Sequence, residues 1–534
     1  MSRFFTLCLA ASIIFAGCAN SVSSNASAPP SQGNAASTAA SESAPAGEPA
    51  QSAASADNPW ADFDTSEAVN IVFYALGSAD PAFSKVVGLA NERMKQLINT
   101  TVDIEIIPLS DFATKYPLVL AGGEDCDLIF SAPWLFFAEQ ADRGAFMELT
   151  EEFRNTWMPE TMKSQVPVSW KQAEYKGKVI VTPRNASDYE QAYGVVVRKD
   201  MRDKYNIPEI TDMDGFEQYL YAVAEGEKGT GAYAFNIQPS FPIDQFLFTS
   251  PNNWFSTGFL MWDADTPGNL KAEDCFFTYD KPEFLDYALR QAKWAQAGFW
   301  PSNAITNTIH VNDLFQEGTS LANACHYKSA NTNIQEMAKK GIEVEYFNIL
   351  SETTNTRISP YNYDAVAITS FSKYPERAAL ALDVMKNDPY INVLLQGGIE
   401  GEHYILEPDN THSLGPNSAD YSWSGWAWAL RSAFMPDEGG LDPSCVTMRD
   451  LFDSKNLDPD RFPIDGYIFG TSGIEAEYAL IQSIINEYRY SFDLGVFGDD
   501  TEAKYNQFMS ELRQAGLDKV VDAAKLQLDD FLKS

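Results

Sequence analysis

Residues that could carry out chemistry are present in this chain, but their spacing matches no catalytic motif. No HExxH pair or other close metal-binding pair is formed by the four histidines, which are His310, His326, His403 and His412. There is no GxSxG nucleophile elbow, and the glycine-rich run 225–231 lacks the spacing of a P-loop. The sequence therefore predicts a protein that is not an enzyme, with no catalytic residue, no cofactor and no metal ion.

One loop partly matches a calcium-binding pattern. Asp263 and Asp265 stand at its first and third positions, and Asp274 stands at its twelfth. Pro267 removes the next side-chain ligand, and Asp274 is shorter than the glutamate that usually binds calcium through both oxygens. The pattern therefore disfavours calcium but leaves it as an open alternative for residues 263–274.

The aromatic residues are the feature of the sequence that indicates a function, namely ligand binding. The chain contains 11 Trp and 24 Tyr. An aromatic ring can stack on the apolar C–H face of a sugar, while neighbouring carboxylates and amides bind the sugar hydroxyls. This composition favours the binding of an uncharged polar ligand. The rival interpretation is a surface glycoside hydrolase, which would need two carboxylates facing each other across a cleft.

The elements that must position these side chains read as alternating strands and helices. Apolar runs predict strands at 69–76, 102–106 and 127–131. Asp80 and Pro81 predict the N-cap and the first residue of one helix, and Ser110 predicts the cap of the next. In such βαβαβ sheets, ligands bind beyond the carboxyl ends of the strands. We therefore expect the binding site near Gly77 and Trp134.

The N-terminus has the pattern of an exported lipoprotein. Arg3 precedes an apolar stretch at 4–15, and two small residues precede Cys18. This resembles a bacterial lipobox, which implies a signal peptide at 1–17 and a diacylglycerol on Cys18; the alternative is an ordinary secretory signal with an incidental cysteine. Residues 18–64 are rich in Ser, Ala, Gly and Pro, which predicts a disordered, lipid-anchored tether. We therefore expect the protein at the cell membrane, on its extracytoplasmic face.

The remaining chain is long enough for two lobes and is strongly acidic. The whole chain has a net charge of −36, from 38 Lys and Arg against 74 Asp and Glu, and offers no cationic surface to nucleic acid. No later apolar run is long enough to cross a membrane. The cysteines after Cys18 match no CxxC motif, so we interpret them as buried small hydrophobic residues whose disulfide state stays open: Cys126, Cys275, Cys325 and Cys445.

Landmarks along the chain resemble those of an extracellular solute-binding protein of an ABC importer. They are the segments 115–124, 125–130, 144–149, 175–183 and 193–200. The last two, YKGKVIVTP and YGVVVRKD, are similar to landmarks of carbohydrate-binding members of that family. The GIEGEHY segment at 398–404 and the aromatic segment at 421–428 are similar to a longer, LplA-like lipoprotein subgroup that has a C-terminal domain of unassigned function.

This resemblance implies an α/β fold of the two-lobe, type II binding-protein kind, with a hinge between the lobes. The expected first lobe comprises 65–187 and 351–397, and the expected second lobe comprises 188–350 and 398–534 with its C-terminal helices. The implied function is the capture of a sugar or oligosaccharide by hinge closure and its delivery to the membrane permease subunits of an ABC importer. The protein is expected to be a monomer. A ligand sensor that feeds a receptor kinase is the alternative within the same resemblance.

Candidate ligand-binding residues lie where strands end or where the chain is expected to cross between lobes. Trp134 is the first choice because it follows the third strand. The other candidates are Arg184, Asp188 and Tyr189 at the first crossing, Tyr361, Asn362, Tyr363 and Asp364 at the return crossing, and His326, Tyr327, Glu402, His403, Trp423, Trp426 and Trp428 elsewhere. Large aromatic residues are more often core than ligand contact, so each is weighed against a structural role.

Overall fold

The computed structural model describes residues 58–533, except 123–124, 187–188, 191–192, 240–242, 351–353, 409, 422–424, 433 and 435–436. The predicted signal peptide, Cys18 and the tether up to residue 57 lie outside the described residues. The folded unit begins at Asn58, earlier than the predicted start at residue 65. Trp60 explains the difference, because its ring is 2% exposed in the core and its Nε1 donates a hydrogen bond to Asp383 at 2.7 Å.

The regular elements alternate between strand and helix along much of the chain. The strands are β1 (Val69–Leu76), β2 (Thr100–Ile107), β3 (Leu128–Ser131), β4 (Glu174–Tyr175), β5 (Lys178–Val179), β6 (Thr182–Pro183), β7 (Tyr189–Glu190), β8 (Tyr193–Arg198), β9 (Trp254–Thr257), β10 (Leu260–Asp263), β11 (Ala322–His326), β12 (Val344–Phe347), β13 (Arg357–Ile358), β14 (Ala365–Ile368), β15 (Tyr404–Leu406), β16 (Thr411–Leu414) and β17 (Asp437–Glu438). The α-helices are α1 (Phe83–Ile98), α2 (Leu109–Gly122), α3 (Phe137–Asp142), α4 (Glu151–Trp157), α5 (Pro159–Ser164), α6 (Pro167–Gln172), α7 (Lys199–Lys204), α8 (Met213–Gly226), α9 (Pro282–Gln296), α10 (Val311–Gln316), α11 (Tyr327–Lys339), α12 (Pro375–Asn387), α13 (Pro389–Gly397), α14 (Pro443–Ser454), α15 (Glu475–Asp493), α16 (Thr501–Gln514) and α17 (Leu517–Lys533).

A five-stranded sheet forms the centre of the first lobe, with the strand order β2-β1-β3-β14-β6. Strand β1 pairs in parallel with β2 and β3, whereas β14 runs antiparallel to β3 and to β6. The first three strands and the helices between them confirm the predicted βαβαβ order. Ile71, Phe130 and Val366 are fully buried in the core of this lobe, as expected for strands covered on both faces.

Helix α1 begins at Phe83, so the prediction of a cap at Asp80 and a first helical residue at Pro81 is wrong. Residues 80–83 form a turn in which the Phe83 amide donates to the Asp80 carbonyl at 3.0 Å. The Ala82 amide donates to the carbonyl of Asp420 at 2.9 Å. A residue far along the chain therefore holds the turn before this helix, and the local sequence does not show it.

The second lobe is built on the antiparallel sheet β11-β8-β12. Successive residues of β8 point to opposite faces, so Val195 and Val197 enter one core and Val196 enters a smaller one. The larger core also takes in buried residues of α8, α9 and the C-terminal helices α15, α16 and α17. The C-terminal helices are thus part of this lobe's core.

Part of the segment after α13 packs in the first lobe, whereas residues 398–534 are predicted from the sequence to belong to the second. Tyr421 and Leu430 are buried in the first-lobe core. The Tyr421 hydroxyl donates to the carbonyl of Leu395, two residues before the end of α13, at 2.6 Å. The second lobe resumes at α14, where Cys445 and Phe452 pack against the smaller core.

Among the described residues, no helix combines the length and the apolar character needed to cross a membrane. The cysteines of the folded chain are all buried, as the sequence analysis interpreted them: Cys126, Cys275, Cys325 and Cys445.

Candidate functional site

The register of the first sheet brings the predicted hinge residues to one edge. Ala365, at the start of β14, pairs with both Ser131 and Pro183, the last residues of β3 and β6. Arg184 and Asp364 are the next residues beyond this row, and the Arg184 amide donates to the Asp364 carbonyl at 2.9 Å. This is the carboxyl edge of the parallel strands, where open α/β sheets bind their ligands.

Trp134 lies at this edge with its polar atom already satisfied. Its indole Nε1 donates a hydrogen bond to the carbonyl of Tyr363 at 2.7 Å. The ring stands edge-on to the buried Phe130, with 6.1 Å between the centroids, and the residue Trp134 is nevertheless 46% exposed. Phe136, also exposed, lies two residues further on. An aromatic surface that is fixed at one edge and open to solvent suits an apolar ligand face.

A buried ion pair joins the two crossing segments beneath this surface. Arg184 Nη1 lies 2.5 Å from Asp364 Oδ2, and both side chains are less than one-tenth exposed. The Nε and Nη2 atoms of Arg184 are buried and find no hydrogen-bond partner among the described residues. Buried charges persist in proteins when they are paired, so this pair is a neutral unit of the hinge.

The segment predicted as the return crossing forms a 3₁₀ turn at Tyr361–Tyr363. Hydrogen bonds to Gln172 of the first lobe stabilise this turn. The Tyr361 amide donates to Gln172 Oε1 at 2.7 Å, and the Asn362 side chain donates to the Gln172 carbonyl at 2.6 Å. Arg357 Nη2 donates to the Tyr363 hydroxyl at 3.1 Å. Asn362 is thereby buried in a structural role, while Tyr361 and Tyr363 stay partly exposed.

The two crossing segments also pair with each other as a short antiparallel ribbon. Tyr189 lies opposite Ile358, and Glu190 lies opposite Arg357. The Tyr189 hydroxyl donates to Asp453 of α14 at 2.6 Å, so this candidate is engaged with the second lobe. Asp188, the other candidate at this crossing, lies outside the described residues.

A buried lysine forms a hydrogen bond to the backbone at the start of the first crossing segment. Lys386 of α12 is 2% exposed, and its Nζ donates to the Pro183 carbonyl at 2.5 Å. Burial lowers the pKa of Lys386 to about 7, and the charge of Asp383 on the same helix opposes that shift. Burial raises the pKa of Asp383, whose carboxylate accepts hydrogen bonds from the Trp60 indole and the Thr161 amide.

The matching edge of the second sheet contains His326, the last residue of β11, which pairs with Tyr193 at the start of β8. The His326 Nδ1 accepts a hydrogen bond from the Lys328 amide at 3.4 Å and so caps α11. Tyr327 is buried in the smaller core and has a packing role. Tyr193 is partly exposed beside Phe246, with 6.2 Å between the ring centroids, and is a better candidate than Tyr327.

Glu402 attaches the segment after α13 to the first lobe, and His403 makes contacts within that segment. Glu402 forms an ion pair with Lys85 of α1 at 2.8 Å. His403 is buried, and its Nδ1 accepts a hydrogen bond from the Ile399 amide at 2.8 Å. Burial lowers the pKa of His403, which favours the neutral ring that can accept this bond. Both residues therefore have structural contacts, and neither has a contact with Trp134 among those that the structure describes.

The aromatic segment of the predicted site is only partly described. Trp423 lies outside the described residues, and for Trp426 and Trp428 the structure gives the backbone alone, in the 3₁₀ helix Gly425–Leu430. The alternating residues Ala427 and Ala429 are buried in the first-lobe core.

Gln172 and Arg357 were missed by the sequence analysis. Both are buried polar residues that bond the turn below Trp134. The sequence gives no signal for Gln172, which simply ends the short helix α6. Arg357 could have been found from the sequence, because it is a charged residue within the predicted return crossing. A cation buried at a lobe boundary needs a hydrogen-bond partner.

Metal-binding geometry is not found among the described residues, where no group of three or more His, Cys, Asp or Glu could hold an ion. In the calcium-like loop, Asp263 accepts a hydrogen bond from the Asp265 amide at 2.9 Å. Asp265 in turn accepts one from Asn253 at 2.8 Å. These carboxylates are thus used to shape the loop.

With this geometry established, comparison with known proteins identifies the family. Residues 89–385, more than half of the chain, match the family described as bacterial extracellular solute-binding protein. The chain belongs to this family. A second match, over residues 463–533, is to a domain of unknown function (DUF3502). The family comprises binding proteins and not enzymes, so the hydrolase alternative gains no support.

Individual relatives agree with this solute-binding family. A carbohydrate ABC transporter substrate-binding protein of Streptococcus pneumoniae is 20% identical over 483 residues, covering 88% of this chain and 92% of the relative. The S. pneumoniae N-glycan transport solute-binding protein NgtS, solved with Man1GlcNAc, aligns with a TM-score of 0.68 at 17% identity, covering 87% of this chain and 100% of the other. S. pneumoniae FusA, solved with kestose, aligns with a TM-score of 0.58 at 14% identity over 87% of this chain and 99% of the other. The two-lobe type II fold is therefore confirmed.

Proposed function

We propose that this protein binds a saccharide between its two lobes and that Trp134 stacks on one sugar ring. The proposal rests on the hydrogen bond and the solvent exposure of the Trp134 side chain. Its N–H is already bonded to the Tyr363 carbonyl, while Trp134 as a whole residue remains nearly half exposed at the ligand edge of the sheet. A ring that needs no polar partner from the ligand can offer its face to the C–H groups of a sugar.

The charges at this edge favour a neutral saccharide. Arg184, at the sheet edge beneath Trp134, is paired with Asp364 and so offers no net positive charge to an acidic sugar. The whole chain has a net charge of −36, which adds long-range repulsion of anions. Relatives with this fold were solved with Man1GlcNAc and with kestose, and another is an alginate-binding protein, so it is the charge of the site that favours a neutral sugar.

Ligand binding closes the two lobes about the crossing segments, in the manner of hinge-closing binding proteins. The ribbon of β7 and β13 lies at these crossings. The closed complex then delivers the saccharide to the membrane permease subunits of an ABC importer. The mature protein acts on the extracytoplasmic face of the cell membrane, attached by a diacylglycerol on Cys18 through the N-terminal tether.

A thermal-shift screen tests the ligand class. The purified protein is heated with Man1GlcNAc, Man5GlcNAc, kestose and maltose, and with an alginate oligosaccharide and a tripeptide as acidic and non-sugar probes. A ligand that binds only the folded state stabilises it by about 2.7 kcal/mol at a hundredfold excess over Kd. We expect a neutral sugar to raise the melting temperature. A shift with the alginate probe or the peptide alone would contradict the proposal.

Small-angle scattering with the sugar that gives a shift tests the mechanism. We expect the radius of gyration to fall on binding, because closure makes the particle more compact. Mass spectrometry of the sugar after long incubation provides the control for hydrolysis. An unchanged radius together with cleaved sugar would support the glycoside hydrolase and overturn the transport function.

A further inference from the structure

We infer that Gln172 and Asp465 are positioning residues that fix the indole of Trp134, and that the C-terminal domain of unknown function contributes to the ligand site in this way. The matched domain begins at residue 463, so Asp465 belongs to it. The significance for ligand binding rests on the proposed function, but the positioning itself concerns the protein without ligand.

The carbonyl that accepts the Trp134 indole N–H belongs to Tyr363, at the end of the 3₁₀ turn Tyr361–Tyr363. Gln172 holds this turn through two groups. Its Oε1 accepts the Tyr361 amide at 2.7 Å, and its main-chain carbonyl accepts the Asn362 side chain at 2.6 Å. Because Gln172 is 3% exposed, water cannot easily replace these bonds.

Asp465 decides which way the Gln172 amide points. The Gln172 Nε2 donates to Asp465 Oδ2 at 2.8 Å. A carboxylate only accepts hydrogen bonds, so it requires the NH₂ end of the amide on its side. The Oε1 end must then face the Tyr361 amide. The carboxylate therefore orients the amide that builds the turn under Trp134.

The segment that contains Asp465 is itself fastened at both ends. Gly466 has a φ of +87°, and a Cβ at this position would lie 3.2 Å from the Lys171 carbonyl, so the backbone approaches α6 closely. At the other end, the side chain of Gln527 in α17 donates to the Gly470 carbonyl at 2.8 Å and accepts from the Gly470 amide at 2.9 Å. Helix α17 thus holds one end of a strap, residues 465–470, whose other end packs against α6 of the first lobe.

Exchange of the Trp134 indole proton in the ligand-free protein tests this inference. The protein is labelled with ¹⁵N-tryptophan, and the Trp134 signal is assigned by its loss in Trp134→Phe. Gln172→Glu places two carboxylates face to face, which should loosen the turn and speed exchange of the indole proton about tenfold, the equivalent of about 1.4 kcal/mol. The double variant Gln172→Glu with Asp465→Asn reverses donor and acceptor, so it should restore exchange to within about twofold of wild type.

Trp300 serves as the internal control, because its Nε1 donates to the Leu494 carbonyl in the second lobe at 3.1 Å and should not respond. Asp465→Ala is a second single variant, expected to act in the same direction as Gln172→Glu and more weakly. Unchanged exchange at Trp134 in both single variants would overturn the inference, as would a double variant no slower than Gln172→Glu. Failure of every sugar to bind would instead contradict the proposed function and leave these exchange rates unaffected.

Discussion

Replacing Lys386 with methionine should change how the stability of the protein depends on pH. The Lys386 ammonium lies in the first-lobe interior, with the Pro183 carbonyl as its hydrogen-bond partner. Burial lowers its pKa to about 7, far below the ordinary value of 10.5. Between these two values the unfolded chain keeps a proton that the folded chain has released, so the free energy of unfolding rises with pH in this window.

The size of this effect follows from the shift. One pKa unit corresponds to about 1.4 kcal/mol, so the wild type should gain about 1.4 kcal/mol for each pH unit above 7, relative to Lys386→Met. Between pH 7 and 9.5 the accumulated gain is about 3 kcal/mol. At least one pH unit below 7, Lys386 is protonated in both states, so its contribution to the difference between the two proteins should be constant there.

Urea unfolding of the two proteins between pH 5.5 and 9.5 measures this difference, and titrating groups that do not interact with Lys386 cancel in the comparison. Lys163→Met is a matched control, because that lysine is 70% exposed and forms a surface ion pair with Glu160. Parallel stability profiles for wild type and Lys386→Met above pH 7 would refute the reasoning. They would mean that Lys386 keeps its charge in the folded state.

Three further predictions concern the hinge, the 398–404 segment and the anchor. Asp364→Leu leaves Arg184 buried without its ion-pair partner and should lower the free energy of unfolding by about 3 to 5 kcal/mol. The double variant with Arg184→Met should be less destabilised in urea unfolding, and equal losses in the single and double variants would argue against a coupled pair. Gly398→Ala should lower the melting temperature, because Gly398 has a φ of +81° and an added Cβ would lie 2.3 Å from the His403 ring; an unchanged melting curve would show that the segment readjusts freely. Cys18→Ala should abolish labelling by a radioactive fatty acid, and equal label in both proteins would contradict the lipid anchor.

The first sheet could be predicted from sequence because its signals are local. Strand β1 has the predicted bounds of 69–76, and the strands at 100–107 and 128–131 lie close to the predicted positions. A strand buried on both faces is a continuous apolar run, which a short window detects. Trp134 could be proposed for the same reason, since its place after the third strand follows from the strand itself.

Long-range contacts explain what the sequence did not reveal. The packing of Tyr421 in the first lobe depends on its bond to the Leu395 carbonyl, and the start of α1 depends on the Asp420 carbonyl. The bonds of Gln172 to residues 361, 362 and 465 join segments from three parts of the chain. Composition and periodicity do not contain this information. His403 was a plausible ligand contact by type alone, and only its burial shows a structural role.

Titration calorimetry with a Trp134 variant tests whether the sugar binds on this ring. The sugar that gives the largest thermal shift is titrated into wild type, Trp134→Ala and the control Tyr390→Ala, which removes an aromatic side chain that is 52% exposed on α13. We expect an affinity about 10 to 100 times weaker for Trp134→Ala, or about 1.4 to 2.7 kcal/mol, with a nearly unchanged melting temperature. Tyr390→Ala should bind as wild type does. Equal affinity of Trp134→Ala and wild type would contradict the placement of the sugar on this ring.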